Sequence, residues 1–488
     1  MSAAYGLFIG GEWVPALDGG TYHSPNPYTG EPWAEVPDAT TQDVDRAVRA
    51  ADHAFRTTWL HTSGFERARL MRRLADLLER DAEQLARLET NDNGKLLRET
   101  RGQMHSLPAW LRYFAGLADK IEGSSIPADK SNYFIYTRRE PVGVVGAIVP
   151  WNSPLALLMW KLAPGLAAGC TFVIKPSDQT PVTALAFAQR VEEAGFPPGV
   201  INIVTARAPE IGAALVQHPL VRKVAFTGST ATGIRIVRDT AENLPRVTLE
   251  LGGKSAQLVF DDCDVPGAVN GIVAGIFAAS GQTCIAGSRL LVHTSIHREV
   301  VERLTERAAN IVLGDPLDAA TQMGPLANQQ QYEMTLGFID RAQAQGGRIV
   351  CGGADGERGG LFVHPTIVDG VRPDMELANE EVFGPVLAVM PFDDEEEAIQ
   401  LANGTSYGLA AGLWTTNVHR AHRVAHQLRA GTVWINCYRV VAPNAPFGGM
   451  GMSGWGRESG IEAVDDYLET KTIWLELDGV ARDPFTMG

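Results

Sequence analysis

Between residues 142 and 251 the chain repeats one pattern, a short apolar β-type run followed by a helix-like stretch. The runs are Val142–Val149, Thr171–Lys175, Val200–Val204, Val221–Phe226 and Val247–Leu251. Strands joined by helical crossovers form a parallel, doubly wound sheet, and such sheets bind ligands outside the carboxyl ends of their strands. A second α/β series follows: helices over 265–279 and 296–311, a strand at 289–294, and strands near 347–351, 362–368, 387–392, 409–414 and 432–436. With 488 residues the chain exceeds one core, and the second series is expected to form its own domain.

Upstream, a short N-terminal strand pair is expected to lead into helices. Val44, Ala47, Val48, Ala51 and Phe55 recur at helical spacing behind a Thr40–Asp43 capping pattern. Residues 65–89 and 96–117 read as two more amphipathic helices, split by the breaker-rich Asn91–Gly94. Ser131–Arg139 and 470–476 alternate and lie outside both series, so they are candidates to pair as a projecting arm.

Charge and cysteine usage exclude several function classes. A net charge of −15 opposes binding to a phosphate backbone, so no nucleic-acid partner is expected. The longest apolar stretches, Pro141–Trp151 and Gly271–Ala279, fall short of the ~18 residues of a membrane span. The N-terminal MSAAYGLFIGGEWV has no basic segment ahead of an apolar run, so no secretory signal is expected. Cys170, Cys263, Cys284, Cys351 and Cys437 are scattered and form no CxxC pair, which indicates neither a disulfide framework nor a metal site. A reducing cytoplasm is the expected compartment.

Among glycine-rich segments, the one strict GxGxxG, Gly449–Gly454, follows PF rather than a strand and reads as a turn. Phe226–Gly233 lies between a strand and a helix, where a pyrophosphate can meet a helix N-terminus. PWNSP (150–154), KPSDQTP (175–181) and LELGGKS (249–255) each end a strand, and GQTCIAGSR (281–289) follows a helix. Together with EEVFGPV (380–386), NGTSYGLAAGLWT (403–415) and PFGGMGMSGWGRESG (446–460), these segments resemble the aldehyde dehydrogenase superfamily, in its hydrolytic, NAD-dependent branch. The likeness runs in order from IGGEWV (9–14) to Lys471.

The resemblance implies an α/β fold with a Rossmann-type cofactor domain (1–121 and 140–252), an α/β catalytic domain (253–452) and a β oligomerisation arm (122–139 and 468–488). It implies oxidation of a small-molecule aldehyde to the acid by a homodimer or homotetramer. Cys284 would be the nucleophile, since a thiol becomes reactive when a helix terminus or a cation lowers its pKa. Glu250 would activate water against the thioester, Asn152 would hold the oxyanion, and Lys161 and Glu458 would handle protons nearby. Glu250 also opposes a branch that hands the acyl group to coenzyme A, which typically lacks it.

The same resemblance assigns Lys175 and Asp178 to the adenosine ribose, Ser229 to the pyrophosphate and Glu381 to the nicotinamide ribose. Pro150, Trp151, Ser177, Gly228, Leu251 and Phe383 complete the implied cofactor site. Asp178 stands where many members carry Glu; its carboxylate repels a 2′-phosphate, so NAD is favoured over NADP. The substrate pocket falls to Ser153, Trp160, Ala278, Ile285, Arg439, Val441 and Phe447. Ser153, Ala278 and Val441 occupy positions that carry aromatics in many members, so a roomier pocket is expected, with Arg439 near a polar or anionic distal group.

Overall fold

The computed structural model describes residues 3–354, 359–479 and 485; the end of the arm segment assigned from sequence, beyond 479, lies almost wholly outside the described residues. Five parallel strands form the centre of the first sheet, in the order Arg246–Glu250, Val221–Thr227, Val144–Ile148, Thr171–Lys175 and Ile201–Ile203. All five match the apolar runs to within three residues at either end. Antiparallel strands cap both edges, Gly454–Trp455 beside Arg246–Glu250 and Leu7–Ile9 with Glu12–Val14 beyond Ile201–Ile203. The N-terminal region therefore holds more strand than expected: besides these, Thr21–Pro25 and Pro32–Pro37 form a small separate sheet with Ala3–Ala4.

Helix Thr41–Thr57 starts as its sequence dictates. Asp43 accepts from the Thr40 N–H at 2.9 Å and from the Leu17 N–H at 3.2 Å, and is itself buried. The single helix expected over 65–89 is instead two, Gly64–Arg80 and Ala82–Asn93. They break at Asp81, whose carboxylate is held by Arg80 and by Arg190 from another helix, each at 2.8 Å. Gly94 then ends the second in the left-handed conformation, at φ 76°. Helix Leu97–Ala115 follows.

The second sheet runs Arg348–Ala354, Val363–Asp369, Val386–Phe392, Arg289–His293, Ala256–Val259, Ala410–Trp414 and Thr432–Ile435. Ala256–Val259 is a central strand that the sequence reading missed, because its four residues follow LELGGKS without a breaker-bounded run. All these pairings are parallel except Arg348–Ala354, which lies antiparallel at the edge. Tyr133–Pro141 and Leu468–Glu476 pair antiparallel along their whole length, as their alternation suggested. Among the described residues no helix is long and apolar enough to cross a membrane.

Asp43→Ala leaves two N–H groups without their acceptor and is expected to cost about 1–3 kcal/mol. A fall of several degrees in the thermal midpoint, with turnover unaltered, is the outcome a melting curve and an activity assay would record.

Candidate active site

The carboxyl ends of the first sheet open onto a cavity of about 1360 Å³. Its lining includes Pro150, Trp151 and Asn152 after one strand, Ser177 and Asp178 after the next, and Gly228, Ser229 and Leu251 after two more. From the second sheet come Cys284, Glu381 and Phe383. Nine of the ten cofactor residues taken from sequence thus share one cavity. Lys175 is the exception: its Nζ turns to the Pro176 carbonyl at 3.4 Å.

Several local features shape this cavity. Ser229 caps helix Thr230–Asp239, its side chain accepting from the Thr232 N–H. A Cβ on Gly228 would meet the Phe226 ring at 2.5 Å, so a side chain there would have to displace that ring. Asp178 is held by the Gln179 amide at 2.8 Å. Phe383 sits at φ 56° and packs edge-on against Trp151, with ring centres 5.2 Å apart. Gln331, which the sequence reading missed, donates to the Val382 and Phe383 carbonyls at 2.9 and 3.0 Å and so fixes that strained turn.

Cys284 follows a tight turn in which Ala279 and Ser280 both adopt positive φ, and its side chain is partly accessible. The Asn152 side-chain amide donates to the Gln282 carbonyl at 3.0 Å, which ties the end of strand Val144–Ile148 to the cysteine loop. One of the two Asn152 N–H donors is therefore engaged and one remains. The thiol departs from expectation in its charge surroundings. Burial, reinforced by the carboxylates Glu250 and Glu381, pushes it up to about 12, where a lowered value was anticipated.

Glu250 ends its strand, buried, with neither carboxylate oxygen hydrogen-bonded. Its Oε1 would lie 2.8 Å from a Cβ on Gly448, so the PFGG segment passes directly over it. Burial, then the nearby Glu458, raise its pKa well above the usual carboxylate range. Lys161 and Glu458 form a buried ion pair, and Lys161 also donates to Thr227 at 2.5 Å. Burial raises the Glu458 carboxyl as well, with Lys161 opposing. Glu381 accepts from the Gly253 N–H at 2.9 Å and is pushed up by burial to about 7.

The substrate-side residues divide. Trp160 stacks on Trp110 at 5.6 Å and meets the Phe447 edge at 5.0 Å. Trp110 was not anticipated, because it comes from helix Leu97–Ala115, forty residues before PWNSP. Ile285 and Ala278 are half-buried, whereas Val441 is exposed. Arg439 adopts φ 67° and donates to the Ala274 carbonyl at 3.0 Å; among the described residues it makes no ion pair. Among the described residues no cluster of three or more His, Cys, Asp or Glu is arranged to hold a metal.

A cysteine between two sheets, facing a dinucleotide-sized cleft with an amide donor and a buried carboxyl beside it, defines an oxidoreductase that acts through a covalent thiol adduct. Residues 13–473 match the Aldehyde dehydrogenase family, and the chain belongs to it. It is 49% identical over 486 residues to the (Z)-2-((N-methylformamido)methylene)-5-hydroxybutyrolactone dehydrogenase of Acinetobacter baylyi, covering 99% of each chain. It is 45% identical over 476 residues to retinaldehyde dehydrogenase 3 of Homo sapiens, covering 96% of this chain and 93% of that one. Among solved structures, the NAD+ complex of an aldehyde dehydrogenase from Bacillus cereus superposes with a TM-score of 0.96 at 46% identity, covering 97% of both chains.

With no nucleotide bound, alkylation of Cys284 by iodoacetamide is expected to rise about tenfold per pH unit from roughly pH 7 to 10, because only the thiolate reacts. Mass spectrometry of the Cys284 peptide measures this; a plateau below pH 9 would contradict the raised value.

Proposed function

We propose that this chain oxidises an aldehyde to its carboxylic acid with NAD+ as hydride acceptor, through a thioester on Cys284. The observation that carries the reading is the convergence of Asn152, Cys284 and Glu381 on one cavity at the strand ends. The cavity fits a dinucleotide by its donor set: a helix N-terminus at Ser229 for the pyrophosphate, and separate carboxylates, Asp178 and Glu381, for two ribose diols. Two relatives named for different substrates share a similar fraction of this sequence, which supports the reaction class and leaves the substrate open.

When bound, NAD+ supplies the hydride acceptor. The chain's own residues do the rest. The Cys284 thiol gives its proton to water and attacks the aldehyde carbon as the thiolate, and the free Asn152 N–H holds the oxygen as it gains negative charge. Loss of hydride from that carbon leaves the acyl group on sulfur. Glu250, a buried carboxyl, takes a proton from water in its ionised form, and the water attacks the acyl carbon and releases the acid from the Cys284 sulfur. Its proton passes toward Glu458 and Lys161. The raised Glu250 value has a defined sign: the base form appears only as pH climbs, so hydrolysis speeds up with pH until that carboxyl is ionised.

The Asp178 carboxylate supports NAD over NADP by like-charge repulsion. The two sheets and the paired arm strands support a division into 1–121 with 140–252, 253–452, and 122–139 with 468–488. Exposed Phe134, Trp474 and Leu475 on those strands support a homodimer or homotetramer. Five unpaired cysteines support a reducing, cytoplasmic setting.

An aldehyde panel read by NADH absorbance tests the reading, with NAD and NADP in parallel; kcat/KM with NAD is expected to be higher by about tenfold or more. Glu250→Gln is expected to give one rapid equivalent of NADH and then turnover slowed by about 100- to 10,000-fold, with its pH dependence lost. Asn152→Ala is expected to lower kcat by about 100- to 1000-fold. A Cys284→Ser enzyme that matched the parent rate would end the proposal.

A further inference from the structure

Helix Leu97–Ala115 sends Glu99 to the turn before Cys284, Gln103 to Ser153 and Trp110 to Trp160. Glu99 accepts from the Ala279 N–H at 2.7 Å, pinning the turn before Cys284 to this helix. One turn on, the Gln103 amide donates to Ser153 Oγ at 3.1 Å. Lys95, from the loop just before the helix, donates to the same oxygen at 2.6 Å. Ser153 directly follows Asn152, so this cluster lies one residue from the donor proposed to face the reacting carbon.

The cluster is unsaturated. An ammonium has three hydrogens, and one bond from Lys95 Nζ is accounted for. Ser153 Oγ already accepts twice, which leaves its own hydrogen to donate outward. Lys95 and Ser153 are themselves buried, 3% and 7% exposed, so bulk water does not routinely satisfy them. Arg439 lies close enough for its charge, with those of Glu89, Glu99 and Cys284, to act on Lys95.

We infer that Lys95 and Ser153, the serine held in place by the Gln103 amide, form a polar subsite that takes a carbonyl or carboxylate oxygen carried by the aldehyde substrate a few bonds from its reacting carbon. This rests on Cys284 as the reaction centre. It names a substrate class, oxygen-bearing aldehydes such as oxo-acids and their esters or lactones, in place of plain alkyl or aryl ones. Donors aimed at an absent acceptor discriminate strongly, because an alkyl chain seated there leaves them unpaired.

The test compares kcat/KM for glutarate semialdehyde, its methyl ester and hexanal in the parent, in Ser153→Ala and in Gln103→Leu. The parent is expected to favour at least one oxygen-bearing substrate over hexanal by about tenfold or more, and each variant to lower that ratio by about tenfold. Preference for the acid alone identifies a carboxylate site; equal preference for acid and ester identifies an uncharged acceptor site, and either supports the inference. Ratios that match across all three enzymes, or a parent that prefers hexanal, would overturn it. Cys284→Ser keeps the two layers distinct: loss of all three substrates there upholds the thiol chemistry whatever the ratios show. Thermal midpoints exclude unfolding as the cause of a lost rate.

Discussion

The site depends on the seam where the two sheets meet end to end. Asn152 reaches across to the Gln282 carbonyl, Glu381 reaches back to the Gly253 N–H, and Ser453 bonds Gly252 and Leu251. Each bond joins segments more than 120 residues apart, and each lies within a few residues of Cys284, Glu250 or the cavity. Hydrogen bonds in such a dry seam hold position because a broken one leaves a buried polar group unsatisfied. The thiol, the amide and the carboxyl thus keep their relative places through the surrounding backbone and not through bonds to one another.

The seam also explains the electrostatics. Three carboxyls, Glu250, Glu381 and Glu458, are enclosed in and beside the site, and among the described residues Lys161 is the cation in direct contact with any of them. Enclosure disfavours every negative charge, so thiol and carboxyls alike are held toward their protonated forms. Glu250, raised this way, gains the base form that a general base requires as pH climbs. The strained backbone collects here too: Ala279, Ser280, Phe383, Arg439 and Ser459 all adopt positive φ beside these groups.

Much of the fold was legible because periodicity is local. The five runs from Val142 to Leu251 became five parallel strands, and the Thr40–Asp43 cap began its helix where expected. What failed was either too short or governed by distant partners. Strands of two or three residues near the N-terminus carry no period to read. The break at Asp81 needs Arg190, which lies 109 residues away. In the site, strand-end and loop positions identified nine cavity residues, whereas Lys95, Gln103, Trp110 and Gln331 sit on helices or their approaches and looked like ordinary polar or core positions.

The chain alone determined the order of strands and helices, the glycine and serine turns at the strand ends, and the family's reacting cysteine, since each is written in adjacent residues. Tertiary structure alone decided that the thiol is pushed up and not down, that Lys161 meets Glu458, and that a lysine from the N-terminal helices reaches Ser153. Burial and charge at a point depend on every segment packed around it, and those segments are brought together from opposite ends of the sequence.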